Sequence, residues 1–390
     1  MTPSEIRSAH ARIRGHIRRT PILETASPVV GAAPISLKLE CLQYSGSFKA
    51  RGAFHNLLTR PALAAGCATA SGGNHGAAVA FAAQKLGIRA HIFVPEIATP
   101  AKIAKIKAYG AEAIIGGGSY AEAQERCDQY VAESGALLVH PYDAVETIAG
   151  QGTLALEWEE DLERLGLRKL DTVLIAVGGG GLIAGAAAWF AGRVKVVGVE
   201  PDGSRALHAA LEANAPVDVS VKSIAADSLG AKRVGELNFK IARRFVSSVV
   251  LVTDSAITHA QRRLWADVSV IAEPGGAAAF AAIASGAYRP EQDERVGVLV
   301  CGANADPAAL MKLDAAPFRD APEAKSPRQP LRWAKARTIV RPLSAGPDQS
   351  CGTLGRRQAV RQRILIPPCG GSNPPAPAND FKLLYEISIL

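Results

Sequence analysis

The sequence lacks the marks of a secreted or zinc-stabilised protein. Its six cysteines are spread over 390 residues without a Cys-x-x-Cys pair, so we expect neither a disulfide scaffold nor a zinc site, and a reducing compartment fits best. The N-terminal stretch MTPSEIRSAHARIRGHIRR has no apolar segment of the secretory type. Glu5 and the spacing of Ile6, Ile13 and Ile17 favour an ordinary surface helix over an organelle transit peptide. These absences predict a cytoplasmic protein.

The body of the chain also lacks an excess of charge of either sign. The formal net charge is +8, but residues 316–390 hold 12 basic and 5 acidic side chains, which leaves 32 basic and 31 acidic ones in the first 315 residues. A nucleic-acid partner is therefore not expected. The same tail holds 11 of the 24 prolines. We interpret it as a basic, poorly ordered, low-complexity appendage, with an RNA-binding arm as the alternative.

One long uncharged run lacks the continuity of a membrane helix. Residues 172–192 carry no charge and are long enough to cross a bilayer. Four consecutive glycines at 178–181 interrupt the run, and β-branched residues such as Thr172 and Val173 precede them. The run therefore predicts a buried strand, a glycine loop and the start of a helix, and no membrane contact.

What is present is an alternation of short apolar runs and alanine-rich helical runs between residues 36 and 300. This alternation is typical of an α/β protein with mostly parallel sheet and helices on both faces, and a content of 48% hydrophobic residues suffices for a sizeable core. Strands are predicted at 36–39, 68–70, 90–94, 113–115, 172–177, 194–199, 249–252 and 296–300. The clearest helical runs are 75–86, 100–109, 120–133, 182–190 and 276–283.

A lysine opens a predicted helix in the segment SGSFKARG, at Lys49. The partial positive charge of a helix N-terminus disfavours a second cation and helps to depress the pKa of an amine, as a nucleophilic lysine requires. The competing interpretation is an ordinary solvated surface lysine.

A second glycine-rich junction comprises Ser71, Gly72, Gly73, Asn74 and His75. Several backbone N–H groups can converge there on a carboxylate, and the Asn74 amide can serve a ring or hydroxyl oxygen. The alternative is a tight turn in which Asn74 caps the following helix.

The four glycines at 178–181 form the third junction, between a strand and a helix. Their free N–H groups and the helix dipole suit a phosphate dianion. Gly179-x-Gly181-x-x-Ala184 also matches the dinucleotide-binding fingerprint, with Glu200 as its ribose-binding acid, so an NAD-binding oxidoreductase stays open. At the end of the last predicted strand, Cys301 is either a weak partner for a ring nitrogen or a plain buried cysteine.

Taken in order, seven segments resemble the fold type II pyridoxal-phosphate enzymes, specifically the serine/threonine dehydratase and serine racemase group. The resemblance runs from about Ile6 to Leu310. It implies two parallel-sheet α/β domains like those of the tryptophan synthase β family: a large domain of residues 1–66 and 142–315, and a small inserted domain of residues 67–141. The segments are KLECLQYSGSFKARGA, ASGGNHGAAVAFAA, VPEIATPAKIAKIKAYGAE, AGQGTLALE, VGGGGLIAG, IAEPGGA and CGAN.

The resemblance also implies a role for individual residues. Lys49 is expected to form the Schiff base with pyridoxal 5′-phosphate and to act as the catalytic base, and Cys301 is expected to face the pyridine nitrogen. The expected contacts to the cofactor are Phe48 and Lys49 beside the ring, Asn74 at its hydroxyl, Gly178, Gly179, Gly180, Gly181 and Leu182 at the phosphate, Glu273 near the ring face, and Cys301. The expected contacts to the substrate carboxylate are Ser71, Gly72, Gly73, Asn74 and His75.

The activity implied is that of an ammonia-lyase, which converts L-threonine, L-serine or a related β-hydroxy amino acid to a 2-oxo acid and ammonia. Gly72 stands where racemase members carry a proton-donating serine, so dehydration should dominate. Ala206, six positions after Glu200, replaces an acidic residue of the family's cation site, so no bound metal is expected. A homodimer without isoleucine feedback is expected. A racemase, a β-replacement enzyme and a non-enzymatic binding protein are the alternatives.

Overall fold

A computed structural model describes residues 1–27, 33–60, 64–306 and Ala308, and it confirms an α/β fold with parallel sheets in two domains. The strands are β1 Ile22–Thr25, β2 Ile35–Leu39, β3 Cys67–Ala70, β4 Ala90–Val94, β5 Glu112–Ile115, β6 Leu137–Leu138, β7 Thr172–Ala176, β8 Lys195–Pro201, β9 Val246–Val252 and β10 Val296–Val300. The helices are α1 Pro3–Ile13, α2 Lys49–Thr59, α3 Asn74–Leu86, α4 Pro100–Ala108, α5 Tyr120–Ser134, α6 Val145–Arg164, α7 Gly181–Phe190, α8 Ala206–Ala213, α9 Ala226–Leu229, α10 Glu236–Phe245, α11 Asp254–Val268 and α12 Pro274–Ala284. The Pro- and Arg-rich tail lies outside the described residues.

The larger sheet has six strands in the order β1-β2-β10-β7-β8-β9. Among the strand pairs that the described residues form in this sheet, β1 runs antiparallel to β2 and the other pairs are parallel. The smaller sheet has four parallel strands in the order β5-β4-β3-β6. All of its strands lie in sequence between β2 and β7, so the smaller sheet is inserted into the larger one. The boundaries 1–66, 67–141 and 142–315 remain predictions.

The central strands read as continuous apolar runs because they are buried on both faces. Every residue of β7 is buried, and the helices α7 and α12 both pack against it. This is the pattern of a parallel sheet covered by helices.

The first helix shows how local sequence sets an element's limits. Thr2 caps α1 by accepting the Glu5 N–H at 3.4 Å, and the Glu5 carboxylate accepts the Thr2 N–H at 2.6 Å. Reciprocal bonds of this kind satisfy two donors at a helix start. Ile6 and Ile13 lie on the buried face, which confirms the predicted amphipathic helix.

All eight predicted strands are present, with ends displaced by at most three residues. Two strands were not predicted. The four residues of β1 are each only half-buried, and β6 has two residues, so neither forms an apolar run that periodicity can detect. The uncharged run 172–192 is a strand, a loop and a helix as predicted, and none of the helices in the described ranges is long and apolar enough to span a membrane.

The sheet order brings the ends of separate strands together. Strand β10 lies between β2 and β7, so the segments after β2, β10 and β7 leave the same edge of the larger sheet. Ser47, after β2, forms an isolated bridge with Gly302, after β10. Ligands of α/β proteins gather at this edge.

Candidate active site

The backbone before Lys49 is fixed by the segment that follows β10. Ser45 and Gly46 adopt left-handed backbone angles, with φ of 59° and 79°. The Phe48 N–H donates to the Cys301 carbonyl at 3.1 Å, and the Ala303 N–H donates to the Gly46 carbonyl at 2.9 Å. Helix α2 begins directly after this turn, with Lys49 as its first residue, as predicted.

The Lys49 amine is half-buried and is not a solvated surface group. Its Nζ donates to the Pro141 carbonyl oxygen at 2.7 Å and lies 5.1 Å from the centroid of the Phe48 ring. Burial lowers the pKa of Lys49 from 10.5 to about 8, although Cys301 and Glu273 oppose the shift. An amine with this pKa is neutral in an appreciable fraction of molecules near neutral pH, which is the form that reacts with carbonyl groups.

The junction after β3 presents backbone donors at the start of a 13-residue helix, α3. The Gly73 N–H donates to the Ser71 hydroxyl at 3.2 Å, which shapes the turn. Within the described part of the chain, the N–H groups of Gly72, Asn74 and His75 have no acceptor. Free donors at a helix N-terminus suit a carboxylate.

The Asn74 side chain bridges the two domains and does not cap α3. Its Nδ2 donates to the Glu273 Oε1 at 2.5 Å, and its Oδ1 accepts from the Asn304 Nδ2 at 2.7 Å. Glu273 is 5% exposed. Burial raises the pKa of Glu273 to about 7 despite the hydrogen bond from Asn74. Asn74 and Glu273, predicted to belong to one site, are in direct contact although 199 residues separate them.

His75 is buried, and its ring bonds to the protein. Its Nε2 lies 2.9 Å from the Val139 carbonyl oxygen, and burial lowers the pKa of His75 to about 3. The ring is therefore neutral and donates from Nε2. Any contact of His75 with a carboxylate would come from its backbone N–H.

The glycine loop (Gly178, Gly179, Gly180 and Gly181) joins β7 to α7 and carries a row of free backbone donors. Among the residues that the structure describes, the N–H groups of Gly179 to Ile183 have no acceptor. They lie at the N-terminus of the ten-residue helix α7. Consecutive free amides at a helix start fit a phosphate group. These residues are therefore suited to hold the phosphate of a phosphorylated cofactor.

Two glycines of this loop are also closely approached by other side chains of the protein. A Cβ on Gly179 would come within 2.4 Å of the Tyr142 ring, and one on Gly180 within 2.9 Å of the Asn238 Cβ. Gly180 also has a φ of +93°, which disfavours any side chain. The absence of side chains at Gly179 and Gly180 thus makes room for Tyr142 and Asn238 of the protein itself.

Cys301 follows β10 and is 3% exposed. Its Sγ donates to the Gly275 carbonyl at 3.5 Å. Burial raises the pKa of the thiol, with Glu273 adding to the shift. The group is therefore a neutral thiol, which is what its predicted position against a pyridine nitrogen requires.

Glu200 is engaged by the protein itself. Its Oε1 accepts the Leu207 N–H and its Oε2 accepts the His208 N–H, each at 2.8 Å, so the buried carboxylate caps helix α8. Both oxygens accept backbone N–H groups, whereas the dinucleotide interpretation requires them to bind a ribose. Ala206, the first residue of α8, supplies no side-chain oxygen. The residues here do not fit a cation.

Several residues that contact the predicted site, or that hold a contacting residue as Asp143 holds Asn238, were missed by sequence reasoning. They are Pro141, Tyr142, Asp143, Asn238, Asn304 and Lys105, whose Nζ contacts the Asn304 Oδ1 and donates to the Ser45 carbonyl at 3.0 Å. Pro141 and Tyr142 act through backbone oxygens, which no motif marks. The segment HPYD was the one available signal, since it separates a short strand from a long helix.

Comparisons with known proteins agree with this geometry. The family described as "Pyridoxal-phosphate dependent enzyme" matches residues 13–302. A phenylserine dehydratase from Ralstonia pickettii is 38% identical over 316 residues, which are 79% of this chain and 95% of the relative. A catabolic L-threonine dehydratase from Staphylococcus aureus is 36% identical over 311 residues, covering 77% of this chain and 88% of the relative.

Solved structures give the same result. Maize serine racemase superposes with a TM-score of 0.74 at 33% identity, over 80% of this chain and 96% of that one. The resemblance seen in the sequence and the cofactor it implies are confirmed. The chain belongs to the pyridoxal-phosphate-dependent enzymes of fold type II.

Proposed function

We propose that this protein is a dehydratase that converts L-threonine, L-serine or a related β-hydroxy amino acid to a 2-oxo acid and ammonia. The observation that carries the proposal is the Lys49 amine, which is half-buried, has a lowered pKa of about 8 and opens helix α2. Two relatives of more than a third identity are dehydratases, one for phenylserine and one for L-threonine. The chain spans nearly the whole length of both.

Lys49 is assigned the removal of the substrate Cα proton. When bound, pyridoxal phosphate supplies an electron sink that spreads the negative charge left at that carbon. A base works best when its pKa is close to the working pH, and burial brings the pKa of Lys49 to about 8. The Pro141 carbonyl accepts from the Lys49 Nζ at 2.7 Å and would hold the free amine in place while it acts as the base.

The remaining residues bind and orient. The free N–H groups of Gly72, Asn74 and His75 would hold the substrate carboxylate at the start of α3. The free N–H groups of the glycine loop and Leu182 would hold the cofactor phosphate. These two sets lie on separate domains, so closure between them would exclude water from the site.

Four residues are assigned to the cofactor ring. Phe48 would pack beside it, the Asn74 amide would bind its hydroxyl, and Glu273 would lie near its face. Cys301 would meet the pyridine nitrogen with a neutral thiol, since burial raises its pKa. A neutral partner stabilises a protonated ring less than a carboxylate does, which would favour elimination over transamination.

A racemase is the second candidate, because serine racemase is among the structures that superpose well. Gly72 cannot supply a proton from a side chain. For this reason the dehydratase is preferred.

A cytoplasmic homodimer is part of the proposal. The four cysteines in the described ranges, Cys41, Cys67, Cys127 and Cys301, are unpaired and buried, which supports a reducing compartment. Light scattering on the purified enzyme tests the dimer: a mass twice that of one chain supports it, and a mass of 40.7 kDa contradicts it.

The test of the function is 2-oxo acid release from a panel of L-threonine, L-serine and L-phenylserine, with Lys49→Ala as the inactive control. The proposal expects release from at least one substrate by the native enzyme and none by the variant. Chiral analysis of the remaining serine, and product analysis with an added thiol, distinguish a racemase and a β-replacement enzyme. A protein that retains the cofactor but turns over no substrate would contradict the proposal.

A further inference from the structure

We propose that Asn238 and Asp143 are positioning residues that hold the glycine loop in the geometry that binds the cofactor phosphate. Asn238 belongs to no motif, Asp143 ends the segment HPYD, and neither is expected to touch the cofactor. The inference rests on the proposed role of the glycine loop in binding phosphate.

Asn238, in α10, fixes one peptide unit of the glycine loop. Its side chain is fully buried, and its Nδ2 donates to the Gly179 carbonyl at 2.8 Å and to the Tyr142 carbonyl at 3.2 Å. The Gly235 N–H donates to the same Gly179 oxygen at 3.1 Å. A trans peptide places C=O and N–H on opposite sides. With the Gly179 oxygen held toward α10, the Gly180 N–H points away from α10, into the row of free donors.

Asp143 fixes the start of α10, and through it Asn238. Its carboxylate accepts the N–H groups of Glu236 at 2.9 Å, Leu237 at 3.0 Å and Asn238 at 3.3 Å. The residue before the helix, Gly235, has no side chain with which to cap it, and a Cβ there would come within 2.3 Å of the Asp143 Oδ1. The helix is therefore capped by a residue 93 positions away in sequence.

The same segment, residues 140–143, also reaches Lys49. The His140 Nδ1 accepts the Tyr142 N–H at 3.2 Å and the Asp143 N–H at 2.8 Å. The peptide unit between Pro141 and Tyr142 thus directs its N–H to His140 and its carbonyl to the Lys49 amine, 2.7 Å away. Residues 140–143 therefore position both the Lys49 amine, through Pro141, and the start of α10, through Asp143. Helix α10 in turn orients the glycine loop.

A role confined to folding and a role in phosphate binding predict different results. Loss of general stability would weaken all ligands alike. Loss of the loop geometry would weaken ligands that carry a phosphate and spare the phosphate-free ring.

The experiment measures the dissociation constants of pyridoxal phosphate and of pyridoxal for the full-length apoprotein, native and Asn238→Ala. We expect the constant for pyridoxal phosphate to rise at least about tenfold, equivalent to about 1.4 kcal/mol and to the loss of one or two neutral hydrogen bonds. The constant for pyridoxal should stay within about twofold. Inorganic phosphate should compete less well with pyridoxal phosphate for the variant than for the native protein.

Asp143 provides an independent arm. Asp143→Ala removes the cap and should weaken pyridoxal phosphate in the same selective way, while Asp143→Asn retains an oxygen for the helix N–H groups and should restore most of the affinity. Thr253→Ala is the matched control, because Thr253 caps α11 by accepting the Ala256 N–H at 3.2 Å. It should lower stability without a selective effect on either ligand.

Gly180→Ala separates failure of this inference from failure of the site. Gly180→Ala strains the glycine loop directly. Gly166→Ala is its control for backbone strain alone, because Gly166 also has a positive φ, +66°, but has open space around it. Selective weakening by Gly180→Ala but not by Asn238→Ala or Asp143→Ala would overturn the inference and leave the site standing. Selective weakening by none of the three would overturn both. Where Asn238→Ala does not fold, Asp143→Ala decides.

Discussion

The Lys49 Nζ donates a hydrogen bond of 2.7 Å to the Pro141 carbonyl, which belongs to a residue 92 positions later in the chain. The bond joins the first turn of α2 to the segment that precedes α6. It orients the amine without neutralising it, because a carbonyl oxygen accepts from either protonation state. Burial then sets the proton affinity, and the pKa falls from 10.5 to about 8.

Capture of pyridoxal phosphate by the apoprotein should follow this pKa. Only the neutral amine reacts, so the rate should rise about tenfold per pH unit below pH 8 and level off above it. Stopped-flow absorbance between pH 6.5 and 10.5 measures the profile. A rate that keeps rising toward pH 10.5, the behaviour of an exposed lysine, would contradict a reacting amine whose pKa is lowered by burial.

Much of the fold could be predicted because its signals are local. The apolar runs of the central strands and the helix after Lys49 are read within a few residues. The antiparallel strand β1 was missed because each of its residues is half-buried. Its place at the edge of the sheet depends on β2, which sequence periodicity does not report.

The parts of the site that consist of motif residues could be predicted from the sequence. The parts that depend on backbone groups from distant segments could not. The contact between Asn74 and Glu273 follows from two motifs that the family resemblance unites. The contacts of Asn238 with Gly179 and Tyr142 involve backbone oxygens, whose chemistry is the same at every residue. Only the three-dimensional structure identifies them.

Racemase activity should require two substitutions. The family resemblance implies that Gly72 takes the place of a racemase serine, but a Cβ there would lie 2.7 Å from the Ala98 Cβ. We expect Gly72→Ser alone to misplace the hydroxyl and the pair Gly72→Ser with Ala98→Gly to form D-serine from L-serine. Chiral chromatography measures the product, and Ala98→Gly alone is the control. No D-serine from a folded, cofactor-loaded double variant would count against the explanation based on Gly72.

The neutral thiol of Cys301 should matter for the choice of reaction. Cys301→Ser keeps a neutral donor and should hold 2-oxo acid release within about threefold, whereas Cys301→Asp should slow it by more than about tenfold because a carboxylate keeps the ring protonated. Ammonia release and conversion of the cofactor to its amine form are measured together. Cys127→Ser, at another buried cysteine, controls for packing. An aspartate variant as fast as the native enzyme would contradict the assignment of Cys301.

His75 should make the protein sensitive to acid. Its pKa is about 3 in the folded protein and 6.5 ordinarily, so between these values the unfolded chain binds a proton that the folded one refuses. The stabilisation is complete above pH 6.5 and is lost as the pH falls toward 3, with a slope of at most about 1.4 kcal/mol per unit. Burial raises the pKa of Glu273 from 4.5 to about 7, so between these values the folded protein binds a proton that the unfolded chain does not. Glu273 therefore increases the stability of the fold as the pH falls from 7 to 4.5, opposite to His75.

The contribution of His75 is therefore read as a difference between variants. Urea unfolding from pH 7.5 to 4 should show a smaller loss of stability on acidification for His75→Gln than for the native protein. His16→Gln, at an exposed histidine, should follow the native curve. Equal slopes for all three proteins would show that the buried ring is not the source.

The most direct measurement is borohydride reduction of the purified enzyme followed by mass spectrometry of its peptides. The account predicts one reduced adduct, on Lys49, and a Lys49→Ala protein that releases no 2-oxo acid even with added pyridoxal phosphate. An adduct on a different lysine such as Lys105, or a Lys49→Ala protein with native turnover, would contradict it.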